Sequence, residues 1–361
     1  MPIHKNIRRL IVTKQTICVL FGGASSEHKI SCISAGNVIS QLDRELFDVI
    51  CVGIDKEGNW FLTDATVDEI RSGQWEKGHN KSCMLSPVPK HHGLLVFNKN
   101  GDVSVTHVDV VHPVLHGKNG EDGTVQGLLE LAGIPYVGSG VLGSSLCMDK
   151  VLAKEIFAKS GIPVAEGFFL WRGQYDVGEV HNKIENSFGY PVVVKPSRAG
   201  SSVGVVLVHK AEDLAQGLAV AAAEDDKILV ERFVDAREVE CAVLGKTQSP
   251  EASCVGEIVA EGVYDYDTKY VNDNARLDIP AKLSAEEEKT IRELACKAYT
   301  ASDCSGLARV DFFIDKNSGQ VILNEINTLP GFTDISMYPK LWEASGVPCK
   351  ELLTRLIKLA Q

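Results

Sequence analysis

Apolar positions near the start of the chain form short continuous runs with helical periodicity between them. Residues 16–21 are a largely aliphatic run ending at Gly22-Gly23, and Ile33, Val38, Ile39 and Leu42 then follow at helix spacing. Phe47–Ile54 reads as a second strand, closed by the turn Lys56-Glu57-Gly58-Asn59. Residues 64–105 are polar, broken by Gly, Pro and Lys, and carry no clear period. Residues 108–115 form a strand of buried type, Thr124–Ala132 a helix closed by Gly133 and Pro135, and residues 136–137 a returning strand. Strands alternating with helices predict an open parallel sheet for about the first 145 residues.

The pattern then changes. Asp149 is placed to cap a helix running to Lys159, with Gly161 and Pro163 as its stop. Residues 192–194, 203–208 and 228–230 are β-branched strands, with a helix over 210–225, which predicts an α+β unit of mainly antiparallel pairing. Further strands fall near 238–244 and 254–260, followed by a helix over 284–301. A hairpin of 307–314 and 320–327 turns at Asp315-Lys316-Asn317-Ser318-Gly319.

Composition narrows the class. At 361 residues, 44% hydrophobic and 24% charged, the chain is expected to fold into two or three globular domains. Its longest apolar runs, such as 218–223, fall far short of the ~18–20 residues of a membrane helix. The net charge of −11 gives no electrostatic footprint for nucleic acid. Residues 1–14 hold four cations and no acid, which leaves −15 on the remainder. Residues 10–12 are too short an apolar stretch for a secretory signal, and the serines of a transit peptide are lacking. A flexible extension over 1–15 is expected. The ten cysteines are scattered, without a Cys-x-x-Cys pair or zinc spacing, and read as buried reduced thiols of a cytoplasmic protein.

Candidate chemistry concentrates in a few segments. On the last hairpin Arg309 and Asp311 share one face, and so do Glu325 and Asn327. A turn centred near 317 sets Asp311 opposite Leu323, one diagonal from Glu325. Two carboxylates and an amide oxygen beside a cation suit a divalent metal such as Mg²⁺; the alternative is an Arg–carboxylate cluster on an exposed sheet. Lys195-Pro-Ser-Arg-Ala-Gly-Ser201-Ser202-Val-Gly204 joins two strands through small residues whose N–H groups could approach a phosphate, or form only a hairpin. Lys150 lies in the first turn of its helix. Glu231 closes a strand, with Glu238 seven residues on. His116-Gly-Lys-Asn-Gly-Glu121-Asp-Gly and Gly22-Gly-Ala-Ser-Ser-Glu27-His each lead from a strand into a helix, where α/β sheets bind ligands. Glu27 there is either a ligand for an ammonium or a helix-start acid.

In this order the segments resemble the D-alanine–D-alanine ligase family of the ATP-grasp superfamily, from about residue 16 to the C-terminus. The resemblance rests on Phe21-Gly-Gly-Ala-Ser-Ser-Glu-His, His116-Gly with Gly120-Glu-Asp-Gly, Met148-Asp-Lys, and Lys195-Pro with Gly-Ser-Ser-Val-Gly. Tyr264-Asp-Tyr-Asp-Thr-Lys-Tyr270 and Asn324-Glu-Ile-Asn-Thr-Leu-Pro-Gly-Phe-Thr-Asp-Ile-Ser-Met-Tyr-Pro339 complete it. One departure is Lys29, where the family usually has an acid.

The resemblance implies an α/β and α+β protein: an ATP-grasp fold with an N-terminal open parallel-sheet domain. Its domains would be 16–147, 148–234 and 235–361. Lys150, Lys195 and Lys269 would meet ATP phosphates under Ser201 and Ser202, Glu231 the adenine amino group and Glu238 the ribose. Asp311, Glu325 and Asn327 would hold two Mg²⁺ ions, with Mn²⁺ an alternative. Arg309 and the Gly331 backbone would form an oxyanion site. Glu27 would grip the ammonium of the first D-alanine, with His116 nearby. Glu27, Ser201 and Tyr270 would close over the substrates, and Ser336 and Met337 would line the second subsite. By the same resemblance, apolar Met337 favours D-alanine there over D-serine, and the presence of Lys269 and Tyr270 favours it over D-lactate. A cytoplasmic homodimer is implied; a non-catalytic nucleotide-binding regulator is the competing class.

Overall fold

The computed structural model describes residues 14–259 and 276–361. The first sheet is built from β1 (Gln15–Gly22), β2 (Phe47–Ile54), β3 (Trp60–Thr63), β4 (Asn80–Leu85), β5 (Gly93–Phe97), β6 (Val103–His107) and β7 (Val110–Pro113). Its order is β6-β5-β4-β3-β2-β1-β7. Helices α1 (His28–Gln41), α2 (Val67–Arg71) and α3 (Thr124–Ala132) connect or cover these strands. The expected parallel pairing is found where β1 lies between β2 and β7. These strands are the ones with continuous buried runs, as a sheet covered on both faces requires. The unplaced segment 64–105 supplies most of an antiparallel extension through β3, β4, β5 and β6. Two of its strands carry little apolar signal because much of their surface stays in solvent: in β4 only Cys83 and Leu85 are buried, and β6 buries no side chain fully. Tyr136 makes a single parallel bridge to Val111 instead of a returning strand.

The second sheet follows α4 (Val141–Met148) and α5 (Lys150–Lys159). It consists of β8 (Gly167–Trp171), β9 (Val192–Pro196), β10 (Val206–Val208) and β11 (Lys227–Arg232), with α6 (Val177–Ser187) and α7 (Leu214–Glu224) on one side. All its pairings are antiparallel, in the order β10-β9-β11-β8. The strand expected from residue 203 begins only at Val206. Ser201, Ser202 and Gly204 have φ of 51°, 57° and 74°, which keeps the chain turning until that point.

The third sheet has β12 (Ala236–Lys246), β13 (Ser249–Val259), β14 (Arg276–Asp278), β15 (Gly306–Asp315) and β16 (Val321–Asn327), in the order β14-β13-β12-β15-β16. Helix α8 (Ala285–Ala301) packs against it and starts with a Ser284–Glu287 capping box. Two terminal helices, α9 (Met337–Ala344) and α10 (Cys349–Leu359), share one core with β1 and α1. The hairpin register differs from the expected one. Asp311 stands opposite Glu325 itself, and Phe312 opposite Leu323, so Asn324 is an extra residue in β16. This β-bulge replaces the diagonal by a direct carboxylate pair.

All ten cysteines are free thiols. No described helix is long and apolar enough to cross a membrane.

Candidate active site

The second and third sheets face each other across a cleft of about 560 Å³, whose walls include Lys150, Lys195, Ser201, Ser202, Glu231, Glu238 and Glu325. Lys195 lies near the end of the apolar strand β9 and is largely buried at the cleft wall; its Nζ lies 2.6 Å from Glu231 Oε2. A second buried lysine, Lys154 of α5, places its Nζ 2.8 Å from Glu231 Oε1. Burial opposes the charge on Glu231, but the two ammonium groups prevail and hold its pKa down at about 2. Burial also pushes the Lys154 pKa down, against the pull of Glu231.

Lys150 is aimed by its own helix start. Asp149 caps α5 by accepting from Leu152 N–H at 3.2 Å, and takes Ser197 Oγ–H at 2.8 Å and Lys227 Nζ at 2.9 Å. Lys150 Nζ then donates to Ala199 O at 2.8 Å and sits 3.3 Å from Glu325 Oε2. The Ser/Gly loop is fixed at its base by Asp225, which accepts from Arg198 N–H at 2.8 Å and Lys227 N–H at 3.1 Å. Between these anchors Ser201 and Ser202 take up left-handed backbone that non-glycine residues rarely adopt, the kind of strain that collects at ligand loops.

On the hairpin, Arg309 donates from Nε to Asp311 Oδ1 and from Nη2 to Oδ2, each at 2.7 Å, while Glu240 Oε2 lies 3.0 Å from Arg309 Nε. Asn327 Nδ2 donates to Asp311 Oδ2 at 3.0 Å. Among the described residues no three His, Cys, Asp or Glu side chains gather as a metal site. What the hairpin brings together is two carboxylates and an amide. This hard-oxygen donor set fits a Mg²⁺ ion that draws the rest of its shell from water and phosphate.

Glu27 is buried just before α1, where Ser201 Oγ donates to its Oε1 across the cleft. Gly117 and Gly200 close on the same carboxylate: an added Cβ would come within 2.6 Å and 3.1 Å of Oε2. Ser25 supports the group, accepting from Glu27 N–H at 3.0 Å and donating to His116 O at 2.9 Å. His116 is buried, with Nδ1 3.1 Å from Leu329 O, and burial lowers its pKa. Lys29 points to solvent, so the missing family acid leaves the Glu27 cradle undisturbed.

Glu121 lies beside this cradle and accepts from Gly117 N–H at 2.6 Å. Burial, and then repulsion from Glu27, raise its pKa from 4.5 to about 8. Between those values the folded chain holds a proton that the unfolded chain releases, so this group makes stability fall as pH rises through that window. Glu121→Gln keeps the acceptor without the charge. It is expected to raise the thermal midpoint above pH 8 and leave it nearly unchanged at pH 4, as a melting series across pH would show.

Of the remaining expected residues, Gly331 packs against Ser336: a Cβ there would lie 2.8 Å from Ser336 Oγ and would push that hydroxyl aside. Ser336 Oγ accepts from Thr333 N–H at 2.9 Å. Met337 turns into the main core, where a Cβ on Gly256 would come within 2.9 Å of its Sδ. Lys269 and Tyr270 lie outside the described residues, as does most of the expected N-terminal extension. The sequence reading missed Lys154, Asp149 as an ion-pair partner, Glu121 as a half-buried acid with a raised pKa, and Glu240. Two had a readable signal: Lys154 is one helical turn from Lys150, and Glu240 follows Glu238 by two on a strand.

Two antiparallel sheets closing on a cleft, with buried lysines on one wall and an acidic hairpin on the other, define an ATP-grasp architecture. Residues 16–139 match the family model for the D-ala D-ala ligase N-terminus, and residues 156–358 that for the C-terminus. The chain belongs to the D-alanine–D-alanine ligase family. It is 49% identical over 361 residues to a D-alanine–D-alanine ligase of Acetivibrio thermocellus, covering 96% of each chain. It is 48% identical over 350 residues to one of Thermoanaerobacter sp., again covering 96% of each. Among solved structures it is similar to the VanG D-Ala:D-Ser ligase of Enterococcus faecalis, with TM-score 0.88 and 37% identity over 97% of this chain and 100% of that one. The D-alanine–D-alanine ligase of Coxiella burnetii gives a TM-score of 0.83 and 36% identity over 96% and 95% of the two chains.

Proposed function

We infer that the chain joins two D-alanines into D-alanyl-D-alanine at the expense of ATP, for cell-wall precursor synthesis. The observation that carries this reading is the hydrogen bond from Ser201 to Glu27, which makes the phosphate-type loop and the ammonium-type cradle one continuous site.

A free carboxylate is a poor acylating agent, so the first D-alanine, held by its ammonium on Glu27, attacks the ATP γ-phosphate and becomes an acyl phosphate. Such a transfer needs positioning and charge neutralisation more than a protein nucleophile. Lys150 and Lys195 supply this, with Lys269 on the transferred phosphate, while Glu231 and Glu238 hold adenine and ribose. The amine of the second D-alanine, once its ammonium has lost a proton, then attacks the acyl carbon; Arg309 with the Gly331 N–H receives the oxyanion, and collapse of the adduct forms the amide and expels inorganic phosphate. Asp311, Glu325 and Asn327 are the residues that would hold Mg²⁺, which when bound neutralises phosphate charge. Excluding water keeps the acyl phosphate from hydrolysis, and by the family resemblance Tyr270 is assigned to that task together with Glu27 and Ser201. The three sheets belong to domains 16–147, 148–234 and 235–361, and the active form is a cytoplasmic homodimer.

ADP release dependent on D-alanine, with the dipeptide identified by mass, tests the reading; ATP binding without turnover would leave only a nucleotide-binding regulator. Ser336 and Met337 shape the second subsite, Met337 from within the core, and an apolar wall there favours a methyl side chain. Faster synthesis of D-Ala–D-Ser than of D-Ala–D-Ala would overturn that preference. Glu27→Gln is expected to weaken first-site D-alanine binding by roughly 10- to 100-fold, the scale of one charge-assisted hydrogen bond. ATP binding should change little; equal D-alanine affinity in the variant would remove Glu27 from the role.

A further inference from the structure

The buried charge cluster at the back of the cleft holds two cations and one anion. Glu231 has Lys195 on one carboxylate oxygen and Lys154 on the other, and all three side chains are less than a tenth exposed. The lysines are not equivalent. Lys195 and Glu231 line the cleft, whereas Lys154 reaches Glu231 from α5 and is not part of the cleft wall. A buried carboxylate stripped of its partner is strongly destabilised. Were Lys195 the sole counter-ion of Glu231, its turning to a nucleotide phosphate would leave that carboxylate unpaired, and nucleotide affinity would be reduced accordingly.

We propose that Lys154 is a positioning residue: the resident counter-ion of Glu231, whose presence leaves the Lys195 ammonium available to the nucleotide phosphates. This rests on the proposed placement of those phosphates at Lys195. Lys154 touches neither nucleotide nor amino acid; it acts by keeping Glu231 neutralised while Lys195 changes partners. The second lysine on a single glutamate thereby acquires a purpose that the cleft wall alone does not give it.

Binding of ADP and of adenosine to the full-length protein, measured by calorimetry in the presence of Mg²⁺, separates this role from a structural one, because adenosine has no phosphate. Lys154→Met is expected to weaken ADP by roughly 10- to 100-fold, on the scale of a charged hydrogen bond, and to leave adenosine unchanged. Lys154→Arg should preserve the ADP-to-adenosine ratio. In a Glu231→Gln background no carboxylate needs neutralising, so adding Lys154→Met should not alter the ratio. Equal loss of ADP and adenosine, or a ratio that falls further in the double variant than in Glu231→Gln alone, would overturn the proposal. The double variant leaves only Lys195, which faces the cleft, without its carboxylate partner, so this comparison does not depend on the Lys154→Met single variant folding. Lys195→Met is the control on the underlying reading. An unchanged ratio there would mean that Lys195 does not meet the phosphates, a failure distinct from that of Lys154.

Discussion

Asp311→Asn is expected to lower kcat by roughly 10²–10³-fold with the fold intact, a loss typical of removing one preorganised electrostatic group. Two effects combine. The substitution takes one of two carboxylates from the hard-oxygen set on the hairpin. It also removes the charge that receives Arg309 through paired hydrogen bonds of 2.7 Å. Glu240 remains beside Arg309, so the guanidinium keeps one anionic neighbour but loses the one that sets its direction. The thermal midpoint should move little, because asparagine retains the shape and one acceptor oxygen. Steady-state rates at saturating substrates across a Mg²⁺ titration provide the check. A kcat close to that of the parent would exclude Asp311 from the chemistry.

Gly22→Ala is expected to cost about 2–5 kcal/mol of stability, combining a left-handed backbone penalty of ~1–2 kcal/mol with overpacking of ~1–3 kcal/mol. Gly22 ends β1 with φ of +87°, and a Cβ there would stand 2.2 Å from the Ile54 carbonyl oxygen on the neighbouring strand. The obstacle is backbone, so no side-chain rotation relieves it. The same residue donates its N–H to Ser31 Oγ at 2.8 Å, which ties the strand end to α1 just beyond Glu27. Chemical denaturation would measure the loss. D-alanine affinity should fall with it as the Glu27 cradle shifts, and a variant as stable as the parent would contradict the steric account.

The parts of this fold that were legible in the sequence are those with an apolar pattern and clear stops. β2 and α3 were readable to their ends because a mainly apolar run followed by a Gly-Asn turn, and a helix closed by Gly133, leave little choice of boundary. β5 and β6 were not: β5 (Gly93–Phe97) is apolar but short and set among polar turns, and β6 (Val103-Ser-Val-Thr-His) buries none of its side chains fully. The site divided along the same line. Arg309, Asp311, Glu325 and Asn327 were found because strand alternation groups them, yet their pairing was misjudged because one inserted residue has no signature in side-chain pattern. Lys154 escaped notice since a lysine on a helix is ordinarily a solvent residue. Its spacing from Lys150 puts the two on one helix face, and tertiary packing turns that face inward, with Lys154 onto Glu231. Met337 shows the opposite case: its motif points to a subsite, and its side chain is also packed into the core.

The bulge at Asn324 sets the phase of the strand that carries it. Leu323 and Ile326 are three residues apart, an odd interval that regular alternation would send to opposite faces, yet both lie in the same core. The extra residue absorbs the mismatch, so that Asn324 and Glu325, although adjacent, both border the cleft. Deleting Asn324 would advance everything after it by one step: either Ile326 leaves the core or Glu325 leaves the cleft. Position 324 is therefore open to substitution but closed to deletion, and length in this short strand is conserved by geometry where its side chains need not be.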